Sequence, residues 1–152
     1  MLTAENLPKY IEQAVKLRLC GHELLLQHTT AEILKVANGI GPESFPPKLR
    51  NMIDNANPTA IVASIIHDLR YTYGTGTKAD FLQANADLEV NTSLLAEDNY
   101  KWYNPTRYWV KLKGHHFRMA CDKFGWPAYL AAIEARETDP DIQNKHLVIG
   151  LA

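Results

Sequence analysis

Residues 61–71 of the chain read Ile-Val-Ala-Ser-Ile-Ile-His-Asp-Leu-Arg-Tyr. This stretch is apolar around most of the circumference of a helix, which predicts a buried helix. Pro58 stands shortly before it, where proline favours a first helical turn, and Gly74-Thr75-Gly76 follows it as a stop signal. The sequence therefore predicts a central helix that carries a histidine and a carboxylate, His67 and Asp68, in its apolar middle.

A second helix is predicted next along the chain, from about Ala79 to about Ala96. Apolar residues recur on one face of it at helical spacing, and this inner face consists of Phe81, Ala84, Leu88 and Leu95. Because the glycine turn between the two helices is short, we expect them to lie antiparallel and packed against each other. The pair is the predicted centre of a mainly α fold.

Two further helices are predicted at the N-terminus. The first has apolar residues at helical spacing over residues 7–17, with Gly21 as a stop. Thr29 and Glu32 have the form of a capping box that opens the second helix, which ends at Asn38-Gly39. These patterns predict that an α-helical N-terminal part packs beside the central pair.

Glycines and prolines are dense over residues 39–58, which predicts a loop. Beyond the central pair, residues 108–124 predict a helix that is interrupted at Gly114, and Trp126-Pro127 opens a last helix that ends near Arg136. Little else has the pattern of a strand. Fold class is therefore predicted as mainly α.

A chain of 152 residues with 46% hydrophobic and 22% charged residues suits one domain with a core of ordinary size. We therefore interpret residues 1–152 as a single domain. Its predicted parts are N-terminal helices (1–37), a loop (39–58), core helices (59–136) and a tail (139–152) in which Leu147, Val148 and Ile149 could form a short strand.

Charge and cysteine content narrow the function classes. The 16 Lys and Arg nearly balance the 17 Asp and Glu, so no global field draws the chain to nucleic acid, and no nucleic-acid partner is expected. Cys20 and Cys121 are too few for a disulfide scaffold. The first 19 residues have no uninterrupted apolar segment, so we expect no signal peptide or membrane span and a chain that is cytoplasmic as synthesised. The sequence leaves the oligomeric state open.

His67 is the predicted centre of any chemistry. Burying an imidazole and a carboxylate is tolerated when they are paired, hydrogen-bonded or bound to a metal. Tyr71 lies four residues on and shares a helix face with His67, whereas Asp68 points about 100° away. An orienting carboxylate must then come from the antiparallel helix, which offers Asp80 and Asp87, and Asp87 lies deeper in that helix.

These residues carry a resemblance to a known family. The segment Asn57-Pro58-Thr59 through His67-Asp68-Leu69-Arg70-Tyr71, followed by Ala86-Asp87, resembles the signature of phospholipase A2 enzymes: a His-Asp pair, a Tyr three positions after the Asp, and a distant Asp. It is closest to the disulfide-free members in parvovirus minor capsid proteins, some bacterial enzymes and small phage and prophage proteins. A Gly-x-Gly-Pro turn at 39–42 and the segment 124–129 extend the resemblance over most of the chain.

The resemblance implies a calcium-dependent hydrolase of the phospholipid sn-2 ester, with a transient contact to a phospholipid membrane interface. In this chain it implies that His67 is the general base and that Asp87 orients it, with Tyr71 hydrogen-bonded to that Asp. It also implies a calcium ion held by Asp68 and by the carbonyls of Gly39 and Gly41. A phage or prophage association is expected on the same ground.

Two alternatives remain open. In the first, His67-Asp68 belongs to an HD-type phosphohydrolase, in which a divalent metal is bound by the pair with an upstream His and a downstream Asp; His28 and Asp98 have the right residue types. In the second, the chain is a catalytically silent phage or prophage structural or accessory protein, and the pair is a buried polar network.

The last third of the chain is rich in aromatic residues. Nine of the 14 lie between residues 100 and 129, interleaved with basic side chains. Such a segment could form a surface for lipid headgroups or for nucleic acid, but we expect these rings to close the core of a small domain.

Overall fold

The computed structural model describes residues 2–39 and 58–139, which form seven α-helices without any strand. The helices are α1 (Leu7–Leu17), α2 (His22–Gln27), α3 (Thr30–Gly39), α4 (Ile61–Tyr73), α5 (Lys78–Asn99), α6 (Pro105–Phe124) and α7 (Trp126–Thr138). A single turn of 3₁₀ helix, Pro58–Ala60, leads directly into α4. The mainly α class is confirmed for this part of the chain. Gly41, the rest of the predicted loop up to residue 57 and the predicted strand at 147–149 lie outside the described residues.

The N-terminal helices follow the predicted signals with one difference. Helix α1 ends at Leu17 and is capped by Arg18, which adopts the left-handed conformation (φ 49°). Gly21 (φ 84°) is the N-cap of the short helix α2, which the pattern did not separate. The capping box is confirmed: the Thr29 amide donates to Glu32 Oε2 at 2.7 Å, and the Glu32 amide donates to Thr29 Oγ1 at 3.3 Å.

Helices α4 and α5 form the expected antiparallel pair. The hydroxyls of Thr59, just before α4, and Tyr100, just after α5, lie 3.1 Å apart. At the other end of the pair, the Thr75 amide donates to Asp80 Oδ2 at 2.8 Å, across the turn that joins the helices. The Thr77 side chain caps α5 by accepting from the Asp80 amide.

Two clusters of buried apolar residues hold the helices together. The larger one joins α4 to the N-terminal helices and α5, and the smaller one joins α4 and α5 to α7. All four predicted inner-face residues of α5 are buried: Phe81, Ala84, Leu88 and Leu95. The apolar face of α5 therefore lies where its spacing predicts.

Helix α6 runs through Gly114 without a break, which corrects the predicted interruption. A Cβ atom at Gly114 would lie 3.0 Å from the Thr92 side chain, so the glycine allows α6 to pack closely against α5. Residue 114 is needed for close approach and does not break the helix.

The aromatic residues between 100 and 129 also differ from expectation. Tyr129 is buried in the core, but five of the nine are exposed: Trp102, Tyr103, Tyr108, Trp109 and Phe124. None of the helices in the described ranges combines the length and apolarity needed to cross a membrane.

Candidate active site

Three side chains from α4 and α5 meet at a single amide oxygen. His67, in the middle of α4, has only 7% of its surface exposed, and its Nε2 lies 3.0 Å from Asn85 Oδ1 on α5. Tyr71 follows one turn later, and its hydroxyl donates to the same oxygen at 2.8 Å. The His67 and Tyr71 ring centroids are 4.2 Å apart. The expected sharing of a helix face by His67 and Tyr71 is confirmed.

A contact from α6 fixes the orientation of the Asn85 amide. Asn85 Nδ2 donates to Asp122 Oδ1 at 2.8 Å. An amide nitrogen only donates and a carboxylate oxygen accepts, so the amide oxygen must face His67 and Tyr71. Because that oxygen can only accept, His67 Nε2 carries a hydrogen, and the lone pair of a neutral ring is on Nδ1.

The Nδ1 atom faces the partly open side of the site. It lies 3.7 Å from Asp68 Oδ1, and the Asp68 side chain is 46% exposed. This distance is too long for a hydrogen bond but short enough for attraction between charges. The ring nitrogen that could accept a proton is therefore directed towards the half-exposed Asp68 carboxylate, and the other nitrogen is held inside.

The surroundings of His67 favour its protonated form. Burial opposes a charge on the imidazole, but the polar and charge interactions with Asp68 and with the buried Cys121 of α6 outweigh burial and raise the pKa of His67 to about 10. Burial also raises the pKa of Tyr71 above its ordinary value, so its hydroxyl remains a donor. These interactions favour the imidazolium form of His67 at neutral pH.

Asp87 does not take the place expected for it. Asp87 Oδ2 accepts from Arg70 at 2.7 Å, and its Oδ1 accepts from Gln83 at 2.8 Å. Asn85 and Asp87 are two residues apart and so lie about 200° apart around α5, on opposite flanks of its apolar stripe. The predicted pairing of His67 with Asp87 is corrected: Asn85 is the residue beside the imidazole.

Of the three predicted calcium ligands, Asp68 and Gly39 lie within the described residues. Asp68 offers a half-exposed carboxylate, Gly39 is the last residue of α3, and Gly41 lies outside the described residues. Over residues 2–39 and 58–139, no three or more His, Cys, Asp or Glu side chains form a group that could hold a metal. Calcium also takes backbone carbonyls, so Asp68 fits as one oxygen ligand of a set completed by main chain.

The residues of the phosphohydrolase alternative lie in other contacts. The His28 ring stacks on Tyr73 with centroids 4.0 Å apart, and Asp98 accepts from Lys16 at 3.1 Å. Within the described residues, neither of them joins the His67-Asp68 pair in a metal-binding group.

Three residues of the site were missed in the sequence: Asn85, Cys121 and Asp122. Asn85 is four residues after Phe81 and three before Leu88, so helical spacing places it beside the inner face of α5. Helical spacing therefore indicates Asn85, but the prediction considered only carboxylates as partners of His67. Cys121 and Asp122 approach from α6, and no spacing within α4 or α5 indicates them.

Comparisons with protein-family models, with curated proteins and with solved structures found no match to the chain. The functional interpretation therefore depends on the contacts of His67, Tyr71, Asn85 and Asp68.

Proposed function

We propose that the chain is a phospholipase A2-like hydrolase that cleaves the sn-2 ester of a phospholipid with a water molecule activated by His67. One observation carries the proposal: a single Asn85 oxygen lies 3.0 Å from His67 Nε2 and accepts from Tyr71 at 2.8 Å. The resemblance implies a histidine oriented by an aspartate, Asp87, to which Tyr71 is hydrogen-bonded. In this chain an amide, Asn85, lies in that position instead.

The chemistry follows from the two ring nitrogens. Asn85 holds the Nε2 hydrogen inside, so in the neutral ring Nδ1 accepts a proton from water while the water oxygen attacks the ester carbonyl. When the ester bond breaks, the proton passes from Nδ1 to the departing alkoxide. Water and ester are thereby converted to a fatty acid and a lysophospholipid, and His67 returns to its starting form.

Calcium would be held by Asp68 together with the carbonyls of Gly39 and Gly41. It would supply positive charge for the ester oxygen during the attack. Asp68 suits this role because its carboxylate is half-exposed and, in the described part of the chain, forms an ion pair only with His67.

The decisive experiment measures fatty-acid release from mixed phospholipid vesicles. We expect release that requires calcium and is lost in His67→Ala, whereas the matched control His116→Ala, at an exposed histidine on α6, keeps it. Because a general base acts in its neutral form, release should increase as the pH rises through the pKa of His67. Manganese-dependent turnover of phosphate esters without lipid hydrolysis would instead identify an HD-type phosphohydrolase.

A specific observation also favours the silent alternative. Among the described residues, the one buried side-chain nitrogen or oxygen without a hydrogen-bond partner is Arg70 Nε, on α4 beside Asp87, and it does not belong to the His67 cluster. A fully satisfied buried network is what a structural role requires. A folded protein with neither activity would favour a phage or prophage structural or accessory protein.

A further inference from the structure

Four large aromatic side chains project from the corner between α5 and α6. Trp102 is 73% exposed, Trp109 is 63% exposed, and Tyr103 and Tyr108 are each 61% exposed. We call these four residues the aromatic platform. Tryptophan is highly buried on average in soluble domains. Two exposed Trp side chains beside two exposed Tyr side chains therefore indicate a binding surface.

Three of the four platform residues are held in place by contacts with one another. The rings of Trp102 and Tyr103 meet edge to face with centroids 5.8 Å apart, and the Tyr108 hydroxyl donates to the Trp102 carbonyl at 3.1 Å. Asn104 closes the turn: its amide donates to the Lys101 carbonyl, and its side chain caps α6. A surface that is already ordered loses little entropy when it binds.

The charges around the platform point to an anionic partner. Residues 97–113 carry four cations, Lys101, Arg107, Lys111 and Lys113, against two carboxylates, Glu97 and Asp98. Glu97 pairs with Arg107 and Lys111, and Asp98 pairs with Lys16 from α1. The region is therefore positive in a chain whose formal net charge is −1. Mutual repulsion of these cations disfavours a second copy of the chain as the occupant.

The apolar part of the surface favours lipid over nucleic acid. Exposed aliphatic side chains, Leu112 and Met119, continue from the platform along the outer face of α6. Bases stack on the faces of aromatic rings and gain little from aliphatic side chains, whereas the boundary between headgroups and acyl chains accommodates both. Trp and Tyr are the side chains that concentrate at that boundary.

We propose that the aromatic platform docks the protein onto an anionic phospholipid bilayer. The Trp and Tyr rings enter the headgroup region, and Lys101 and Lys113 contact lipid phosphates. The inference deepens the proposed function and rests on it in one respect, since the docked lipid would also be the substrate.

The test uses the full chain and vesicles of phosphatidylcholine with or without phosphatidylglycerol. We expect co-sedimentation with the anionic vesicles, about tenfold weaker partitioning for the double variant Trp102→Ala/Trp109→Ala, and weakening by salt or by Lys101→Glu/Lys113→Glu. Leu26→Ser, at an exposed leucine on α2, is the matched control and should bind as the parent does. Thermal melting should be the same for all variants because the changed side chains are exposed.

The outcomes separate docking from catalysis. Hydrolysis of a soluble short-chain phospholipid should be unchanged in the double Trp variant, since neither residue belongs to the His67 cluster. If vesicle binding depends on the platform while His67→Ala and the parent are both inactive, docking stands and the hydrolase proposal fails. Three results would each overturn the docking proposal. The parent and the double Trp variant could bind vesicles equally, the parent could fail to bind vesicles, or the parent could bind single-stranded nucleic acid more tightly than vesicles.

Discussion

Both flanks of α5 carry buried polar residues, but the hydrogen-bond networks on the two flanks end at different kinds of residue. On one flank, Asp87 binds Arg70, and Asn91 exchanges two hydrogen bonds with the Cys20 main chain. These contacts tie helices together. On the other flank, Asn85 connects Asp122 to His67, a titratable ring whose Nδ1 atom faces the half-exposed carboxylate of Asp68. Both networks are polar, but only the second ends at a titratable ring beside solvent, and this end point distinguishes a candidate site from a structural contact.

Replacing Asn85 should have the largest effect, because the change removes three hydrogen bonds at once. Asn85→Ala leaves the buried His67 and Tyr71 without their shared partner, and the partly buried Asp122 keeps only its ion pair with Arg118. We expect the free energy of unfolding to fall by about 3–4 kcal/mol, and lipid hydrolysis to fall roughly 100-fold in the fraction that remains folded. Urea denaturation and fatty-acid release measure the two effects.

An exchange of groups tests whether Asn85 acts through hydrogen-bond polarity. Asn85→Asp alone places a second carboxylate against Asp122 and should destabilise the fold. Adding Asp122→Asn restores one donor and one acceptor across the same contact, so the double variant should recover most of the lost stability. If the double variant is as unstable as the sum of the single variants, the orientation assigned to the Asn85 amide is not what holds this contact.

An alanine substitution on the flank that carries Asp87 should lower the free energy of unfolding by less and leave the His67 ring unaffected. Asp87→Ala leaves Arg70 without its carboxylate, and we expect a loss of about 2 kcal/mol because Arg70 is only partly buried. The NMR resonances of His67 should stay where they are in the parent. A shift of the His67 pKa in Asp87→Ala would show that the flanks are coupled and would contradict the division drawn between them.

The sequence could not predict which flank of α5 faces His67. Helical period placed Phe81, Ala84, Leu88 and Leu95 inside, and the short glycine turn made α4 and α5 antiparallel. Period alone does not reveal the rotation of α5 about its axis, because that rotation depends on packing against α6. Asn85 and Asp87 lie on either side of the apolar stripe, and only the packed structure decides which of them meets His67.

Two other expectations depended on contacts between distant segments. Glycine is a residue type that often breaks helices, but Gly114 lies within an intact helix because a Cβ atom there would crowd Thr92. Aromatic content predicts core, but Trp102 and Trp109 lie at a corner that α5 and α6 leave open to solvent. In both cases the residue type was evident from the sequence and its surroundings were not.

Asp68 should control the charge of His67. In the parent, the pKa of His67 is about 10, above the ordinary value of 6.5. The stabilisation from this proton is fully present below pH 6.5 and is lost as the pH rises through 10, since the unfolded chain releases it first. Asp68→Asn should lower the pKa of His67 and make that loss shallower. Asp98→Asn is the control, and an NMR titration with an unchanged His67 midpoint in Asp68→Asn would contradict the assignment.

The smallest expected effect concerns Asp122, at the outer end of the site flank. Asp122→Asn keeps an oxygen that can accept from Asn85 Nδ2, whereas Asp122→Ala removes it and leaves the amide free to rotate. We expect Asp122→Ala to cost about 1 kcal/mol of stability and Asp122→Asn about half of that. The separating measurement is the kcat for a soluble short-chain phospholipid, which should fall in Asp122→Ala with KM unchanged and be largely kept in Asp122→Asn. Equal losses of kcat in both variants would show that the charge of Asp122 matters and that its hold on the Asn85 amide does not.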